Sequence, residues 1–513
     1  MVLCNTRSRK GRPCVTLALA IEFPQVESRN WKPRSPRCSK PSCRPSPNGR
    51  HDFLENEPTP TDALAFEREL ANDMRELGRQ VVECVYNRIE PAEPEASAHY
   101  VHHEAGEYRR LNRKTPNREV ATLFGKITLW RHGYRYVERD TGEPSVFPLE
   151  IQLGLVEGAT PALASAAAMA LAETGATQET ALARLRSQHG VAWGVKKLRA
   201  VAEGVSSAMT RFRREHQARK IVAWLRAAQD SVGKNRPVLS LGRDGITLRT
   251  QPHSFFEVAS TATLTVYDRN RQRLGSVYLA HAPELGQQTM TDQLTALLDE
   301  VLRQWDGPLP RLVYVTDAGD TETGFYRRVL KKLRHPLTGK RLEWQWIVDY
   351  YHASQRLTTM AEAVFGAGQA ASSWAARMRK LLKKPNGPFR VLHSAAALRA
   401  DRWMSKKAHK EFDRAYNYLR VRTKHMQYAA FRSRGLPIGS GVTEAACKTV
   451  FTQRLKLSGM RWSLGGAQTI LNLRVILLSG VWEQVYQAAV ADYPGPPNRT
   501  LAEGNQTPPQ IAA

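Results

Sequence analysis

The sequence predicts a mixed α/β fold of the α+β kind, in which a layer of strands and helices follows a helical, basic N-terminal half. Three segments rich in β-branched residues follow one another closely, at 238–250, 257–267 and 273–282. Such a series is typical of antiparallel strands joined by short turns. Two shorter apolar segments, 312–316 and 344–348, then alternate with helical patterns. This order indicates one mixed sheet covered by helices.

The charge of the chain favours a polyanionic partner. The 513 residues are enough for several domains, and 42% of them are hydrophobic. Lys and Arg number 75 against 48 Asp and Glu, so the formal charge is +27. Such a surface favours double-stranded DNA or RNA over anionic membrane. No apolar run reaches the ~18 residues of a membrane span, and no secretory signal pattern is present, so we expect a cytoplasmic protein.

Both termini have the composition of disordered segments. Residues 1–58 are rich in Arg, Lys, Pro and Ser, and we expect a disordered basic arm or an over-long start of the reading frame. Residues 491–513 are expected to form a disordered tail. Cys38 and Cys43 resemble half of a zinc knuckle, but no second pair with ligand spacing accompanies them. Structural zinc is therefore not expected.

The segment 59–107 begins with a predicted amphipathic helix over residues 62–88. Its apolar residues recur at spacings of three and four, as in a short coiled-coil seam. They are Phe66, Leu70, Met74, Leu77, Val81 and Val85. Two interpretations remain open: the seam packs on the protein's own core, or it forms a dimer contact. The second would make the protein a homo-oligomer on DNA.

Two basic regions follow. Residues 108–157 contain strand-like segments on both sides of Gly125, which predict a small hairpin with a phosphate-facing side. Residues 158–236 are helical, with a break at Gly190, a helix over 193–204 and a long basic helix over 205–229.

The helix after Gly190 begins with Lys196, Lys197 and Arg199. This arrangement resembles a helix-turn-helix whose basic side chains contact DNA, although any two packed helices share the pattern.

Three acidic residues stand at the predicted elements of the second half. Asp244 lies within the first β-segment, Asp317 directly follows the strand 312–316, and Glu444 begins a basic helix after a turn rich in Gly and Pro. Each has an ordinary explanation, because Asp suits turns and an acid suits the positive end of a helix.

Charges beside apolar strands are costly unless they are paired or bind a cation. The order strand-Asp, strand-Asp, helix-Glu therefore favours a site for Mg²⁺, with Mn²⁺ as a substitute. Two metals held by such acids catalyse phosphoryl transfer.

Several stretches carry a resemblance to a known family. They are GRDGITL, VTDAGDTETGFY, IVDYYHASQRL and PIGSGVTEAACKTVFTQRLKLSGMRW, with FGKITLWRHGYR and FPLEIQLGL upstream. Over residues 62–490 the chain resembles bacterial insertion-sequence DDE transposases of the ISKra type, which have Mutator-like relatives. The resemblance implies an RNase H-like catalytic core at 237–352 and 435–490. It also implies a basic all-α insertion at 353–434, and a helical DNA-binding region with a small β-hairpin ahead of the core.

Carried over to this chain, the resemblance makes Asp244, Asp317 and Glu444 the catalytic and metal-binding acids. Asp320 and Asp349 compete with Asp317 for the middle place. We rank Asp317 first and expect Asp349 to support the metals. The implied reaction is metal-dependent cleavage at the ends of a mobile element, followed by attack of the freed 3′-hydroxyl on target DNA. Such a protein would be associated with the bacterial nucleoid.

Basic and aromatic residues of the second half have two interpretations each. Lys448, Arg454 and Arg461 are expected to face DNA phosphates, although a solvated helix face would carry the same residues. Trp374 and Trp403 either stack on unpaired bases at a cut end or belong to the core.

Two other function classes compete with a transposase. A DNA-binding regulator, or a transposase that has lost catalysis, would keep the same charge and helices. An RNase H-like nuclease or resolvase would share the acids but would not require so large a basic N-terminal half. The three acids separate an enzyme from a binding protein, and all three are present.

Overall fold

The computed structural model describes residues 5–7, 13–15, 59–91, 97–104, 106–137, 143–252, 256–493 and 498–500. The chain divides into two compact units, residues 1–66 and 67–513. The predicted basic arm and tail lie largely outside the described residues, as do Cys38 and Cys43. In the first unit, the short strands β1 (Asn5–Arg7) and β2 (Pro13–Val15) pair antiparallel.

A long helix precedes an antiparallel sheet. The helix is α1 (Pro60–Tyr86), and the sheet contains the strands β3 (Tyr100–His103), β4 (Gly106–Thr122) and β5 (Gly125–Tyr136). Gly125 has a φ of 120° at the turn between β4 and β5, a conformation that glycine adopts without strain. The predicted hairpin is present, but its strands are longer than the sequence indicated, and β3 pairs with β4 beside it.

The apolar seam of α1 is exposed from Leu70 to Val85. Met74 is 55% exposed and Val85 is 54% exposed, and no residue of the helix is buried. This part of the seam is therefore not covered by the described core of the second unit.

The next region is helical. Its helices are α2 (Pro148–Gln152), α3 (Pro161–Ala172), α4 (Gln178–His189) and α5 (Val195–Asp230). Gly190, with a φ of 65°, ends α4 as the sequence predicted. The two helices predicted after it are one helix of 36 residues, so that prediction was wrong. A Cβ on Gly204 would lie 2.8 Å from Val156, so this glycine permits close packing and does not break the helix.

A five-stranded mixed sheet forms the centre of the second half. Its elements in chain order are β6 (Val238–Arg249), β7 (Phe256–Tyr267), β8 (Arg273–His281), α6 (Gln288–Gln304), β9 (Arg311–Thr316), α7 (Asp320–Arg328) and β10 (Trp344–Val348). The strand order is β10-β9-β6-β7-β8. β6, β9 and β10 are parallel, and β7 and β8 pair antiparallel. The predicted mixed class of helices and strands is confirmed.

Five helices follow the sheet without an intervening strand. They are α8 (Tyr350–Phe365), α9 (Gln369–Leu382), α10 (Gly387–Asp401), α11 (Lys406–Arg420) and α12 (Tyr428–Ser433). Trp374 is buried in the same hydrophobic core as the sheet, as the core interpretation expected. Trp403 is 88% exposed.

The last helices are interrupted by a π-helical turn, Cys447–Thr452. Around it lie α13 (Gly441–Ala446), α14 (Gln453–Leu455), α15 (Leu464–Leu478) and α16 (Trp482–Ala491), and β11 (Asn498–Thr500) then pairs with β3. π-Helical turns are rare and occur frequently at functional sites. Among the described helices, none alone is long and apolar enough to cross a membrane; α15 and α16, bent by 117°, pass this test only as a pair.

Candidate active site

Three aspartates share one edge of the central sheet. Asp317 directly follows β9 and Asp349 directly follows β10, and the parallel register sets Val348 opposite Thr316. The amide of Asp349 donates to the carbonyl of Thr316 at 2.8 Å, which continues this pairing past the end of the strands. Asp244 lies on β6, two residues beyond the last β6–β9 pair. In open α/β sheets, ligands bind outside this carboxyl end of the parallel strands.

Asp244 is half-buried and held by two donors. Its Oδ1 accepts from the Gly245 amide at 2.8 Å, and its Oδ2 accepts from the Cys447 thiol at 3.3 Å. Burial raises the pKa of Asp244, and the negative charge of Asp317 raises it further. Burial also raises the pKa of the Cys447 thiol, which therefore stays protonated and donates. Asp244 is thus connected to the turn of helix that follows Glu444.

Glu444 lies on α13, which sits unusually close to the sheet. The Thr443 hydroxyl forms a buried 2.8 Å hydrogen bond with the Thr263 hydroxyl of β7. A Cβ on Gly242 of β6 would lie only 1.9 Å from Thr443 Oγ1, so any side chain at this position would displace Thr443. The absence of a side chain at residue 242 therefore sets the position of α13, and with it the position of Glu444.

The Glu444 carboxylate remains accessible, with 45% of the side chain exposed. Ser440 directly precedes α13, but its side chain makes no capping bond to a backbone amide. Instead its hydroxyl donates to Glu444 Oε1 at 2.8 Å. This contact orients the carboxylate at the start of the helix.

Asp349 joins two separate parts of the chain. Its side chain is fully buried; Oδ1 accepts from the His352 amide at 2.8 Å, and Oδ2 accepts from the Ser440 amide. Burial opposes ionisation of this carboxyl, but the hydrogen bonds from His352 and Ser440 outweigh it and lower its pKa. Asp349 therefore ties the start of α8 to the turn that carries Glu444.

His352, which the sequence analysis did not select, lies between two carboxylates. Its Nδ1 is 3.4 Å from Asp349 Oδ1 and 3.6 Å from Glu444 Oε1, and it has no well-formed hydrogen bond although it is buried. The adjacent Asp349 raises the pKa of the imidazole. Ligand atoms of Asp349, His352 and Glu444 all lie within 4.8 Å of one another, a separation that one metal ion can bridge.

Asp317 lies in a turn that α11 holds in place. Its Oδ1 accepts from the Gly319 amide at 2.9 Å, and its carbonyl accepts from the Tyr418 hydroxyl at 2.5 Å. Ala318 has a φ of 60°, and its carbonyl accepts from Arg422 at 3.0 Å. Tyr418 of α11 and Arg422, which lies just after that helix, thus fix the backbone of this turn. Asp317 itself is half-buried, whereas Asp320 is exposed at the start of α7.

Glu322 is a second residue that the sequence analysis missed. It is 8% exposed on α7, and a Cβ on Gly319 would lie 2.6 Å from Glu322 Oε2 and 3.4 Å from Asp317 Oδ1. Only the glycine thus separates the two carboxylates. Burial raises the pKa of Glu322 to about 7, and the charges of Asp317 and Asp244 contribute.

The sequence signals that could have indicated His352 and Glu322 were positional. His352 lies one helical turn after a strand-end aspartate, and Glu322 lies on the helix that follows another strand-end aspartate.

The donor set fits a divalent cation. Carboxylate oxygens are the ligands that Mg²⁺ and Mn²⁺ prefer, and the imidazole nitrogen of His352 is better accepted by Mn²⁺ and later transition metals. The buried, unpaired Nδ1 of His352 and the mutually repelling carboxylates would both be satisfied by a bound cation.

The predicted DNA-contacting residues lie in three surroundings. Lys196 and Arg199 are exposed on the first turn of α5, with Lys197 half-buried between them. Lys448 is exposed near the acidic cluster, and Arg461 is exposed in the segment after α14. Arg454 is different, because it is 1% exposed and donates through Nε to the Leu171 carbonyl at 2.7 Å.

Comparison of the chain with protein-family models gave no match, and comparison with curated protein sequences gave none either. The case for a function therefore depends on the motifs and on the geometry of this site.

Proposed function

We propose that the protein is a DDE-type DNA transposase that binds the ends of an insertion sequence and catalyses metal-dependent DNA cleavage and strand transfer. One observation carries the proposal: Asp349, Glu444 and Asp244, far apart in sequence, gather with His352 at one edge of the mixed sheet. A protein that only bound DNA would gain nothing from several carboxylates there, because carboxylates repel phosphate.

The sheet supports an RNase H-like core. Two strands, β7 and β8, pair antiparallel on one side of β6, and two parallel strands, β9 and β10, continue the sheet on its other side. The three acids of the DDE pattern then fall on β6, directly after β9 and on a late helix. The all-helical segment from α8 to α12 corresponds to the proposed insertion.

The proposal assigns distinct roles to the acidic side chains. Asp244, Asp317 and Glu444 would hold the metals, and Mg²⁺ or Mn²⁺ would polarise the scissile phosphate and activate the attacking oxygen. Asp349 orients the Ser440 turn and the start of α8, since both of its oxygens already accept backbone hydrogen bonds. Asp349 is therefore assigned a positioning role beside the metals.

The remaining assignments follow from the charge. The formal charge of +27 favours double-stranded DNA, both element ends and target, with the α5 start and Lys448 as contact points. The exposed apolar seam of α1 supports a homo-oligomer on DNA. A nucleoid-associated location would accompany these partners.

The test is cleavage of the DNA that flanks the gene. Purified protein is incubated with duplexes carrying the flanking inverted repeats, in Mg²⁺, in Mn²⁺ and in a chelator. The proposal predicts nicks at the repeat ends with either metal and none with the chelator. Specific binding without any cleavage would instead favour a DNA-binding regulator or a catalytically decayed transposase.

A further inference from the structure

A cleft on the helical side of the second unit is separate from the acidic cluster. Its volume is about 790 Å³, and it lies between α4, α5 and the segment from Arg454 to the start of α15. The cleft is lined by the first residues of α4 and α15, by Arg199 and by Arg461. Two helix N-termini and several guanidinium groups therefore face one space.

Arg454 is the most unusual residue of this cleft. A guanidinium offers five N–H donors, but here only Nε has a partner, the Leu171 carbonyl, while Nη1 and Nη2 are buried without one. Within the described residues no carboxylate pairs with it. The nearest compensation is the Trp462 ring, whose centroid is 5.4 Å from Arg454 Cζ. A buried, uncompensated cation is costly, which indicates a missing anion.

A second buried arginine behaves differently and provides a comparison. Arg474 is fully buried, yet its nitrogens donate to the carbonyls of Val450, Ala172 and Thr449. Its hydrogen-bonding capacity is used within the protein, so Arg474 fixes the end of α3. Arg454 lacks such acceptors on its two terminal nitrogens. Of these two buried arginines, Arg454 lines the cleft and Arg474 does not.

The helix starts add to the positive field. Ser463 caps α15 by accepting from the Gly466 amide at 3.2 Å, and Thr177 caps α4 by accepting from the Thr180 amide at 3.1 Å. The first amides of each helix have no intrahelical acceptor and carry the positive end of the helix dipole. Two exposed acids, Glu179 and Glu203, also line the cleft and oppose this field.

We propose that this cleft binds a phosphate group of the DNA backbone, with Arg454, Arg461 and the N-terminus of α15 as its anion-binding groups. The inference rests on the proposed function and identifies a second point of DNA contact. The seven residues from Asp244 on β6 to the cleft residue Gln251, just beyond the strand, span at most roughly 23 Å. The helical stretch from Glu444 to Arg454 spans at most roughly 15 Å. A phosphate in the cleft would therefore lie within about seven base pairs of the scissile bond.

Gly465 provides a test that separates charge from folding. A Cβ on this residue, in the first turn of α15, would meet no atom within 4 Å. Gly465→Asp adds a carboxylate that the helix dipole favours but that repels a phosphate in the cleft. Gly465→Asn has the same shape without the charge and is the matched control. Arg461→Gln, at an exposed side chain, removes one cation from the rim.

The experiment measures fluorescence anisotropy of a labelled end duplex over a range of salt concentrations in a metal chelator. We expect Gly465→Asp to weaken binding about threefold to tenfold and to lower the slope of log K against log salt by about 1, as for one lost phosphate contact. Gly465→Asn should weaken binding less than Gly465→Asp, because it adds the same bulk without the charge, and Arg461→Gln should weaken binding in the same direction as Gly465→Asp. Thermal unfolding checks that each variant is folded.

Equal affinities of Gly465→Asp and Gly465→Asn would overturn the proposed cleft, while cleavage of end DNA by the unmutated protein would leave the proposed function intact. Binding of inorganic phosphate that Gly465→Asp abolishes without any change in DNA affinity would also overturn it, because the cleft would then hold free phosphate. Absence of DNA binding by the unmutated protein would overturn both proposals.

Discussion

Replacing Gly242 with Ala tests whether the close contact between β6 and α13 positions Glu444. The new Cβ would lie 1.9 Å from Thr443 Oγ1, whereas ordinary contacts begin at 3.4 Å. α13 would have to move by roughly 1–1.5 Å to relieve this overlap. Overpacking of this kind costs about 1–3 kcal/mol in the free energy of unfolding. A displacement of about 1 Å at a catalytic group lowers the rate by on the order of 10²-fold.

The assay combines urea unfolding with cleavage of end DNA, and the chain offers matched variants. Gly441→Ala, at the first residue of the same helix, meets no atom within 4 Å and should be neutral or stabilise by up to about 1 kcal/mol. Thr443→Ala removes the overlapping hydroxyl, at a cost of about 1 kcal/mol for its bond to Thr263. The double variant Gly242→Ala/Thr443→Ala should therefore lose less unfolding free energy than the two single variants lose together. A Gly242→Ala protein with unchanged stability and cleavage would refute this account of α13.

Three further predictions concern the acids and the basic helix. Asp317→Ala should abolish cleavage while the exposed Asp320→Ala keeps most of it, and the reverse ranking would move the middle acid three residues along the chain. Glu322 has its pKa raised from 4.5 to about 7 on folding, so its contribution to stability is present below pH 4.5 and is lost as the pH rises through 7. In urea unfolding without metal, Glu322→Gln should therefore be more stable than the unmutated protein at pH 8, by on the order of 1–3 kcal/mol. If the two proteins differ in unfolding free energy by the same amount at pH 4 and at pH 8, the raised pKa of Glu322 is contradicted. Lys196→Ala with Lys197→Ala should lower the salt slope of end binding, and an unaltered slope would mean that the start of α5 does not touch DNA.

The central sheet could be predicted from the sequence because local patterns determine it. Each of its five strands is a short apolar or β-branched segment bounded by turn residues, and the observed strands begin and end within one residue of those predicted. The helix after Gly190 was predicted less well. Gly204 has the local signature of a break, but its packing against Val156 decides its role, and that contact is not visible in the sequence.

The candidate site was only partly predictable for a similar reason. Asp317 and Glu444 stand at element ends that periodicity reveals, and Asp244 lies within the first predicted strand. The juxtaposition of His352 with Glu444 depends on a hydrogen bond from the Ser440 amide to Asp349, across 91 residues of chain. Sequence alone also cannot tell a surface arginine from a buried one, and Arg454 proved to be buried.

The most direct test of the metal site is Glu444→Gln, which keeps the shape of the side chain and removes its charge. If Glu444 were only an acid at a helix start, the change would cost a few tenths to about 1 kcal/mol of stability and leave cleavage nearly intact. The proposed role predicts that cleavage of end DNA in Mg²⁺ and Mn²⁺ falls by orders of magnitude, while binding in a gel shift persists or tightens because repulsion of phosphate is relieved. Normal cleavage by a folded Glu444→Gln protein would contradict the account and remove Glu444 from the site.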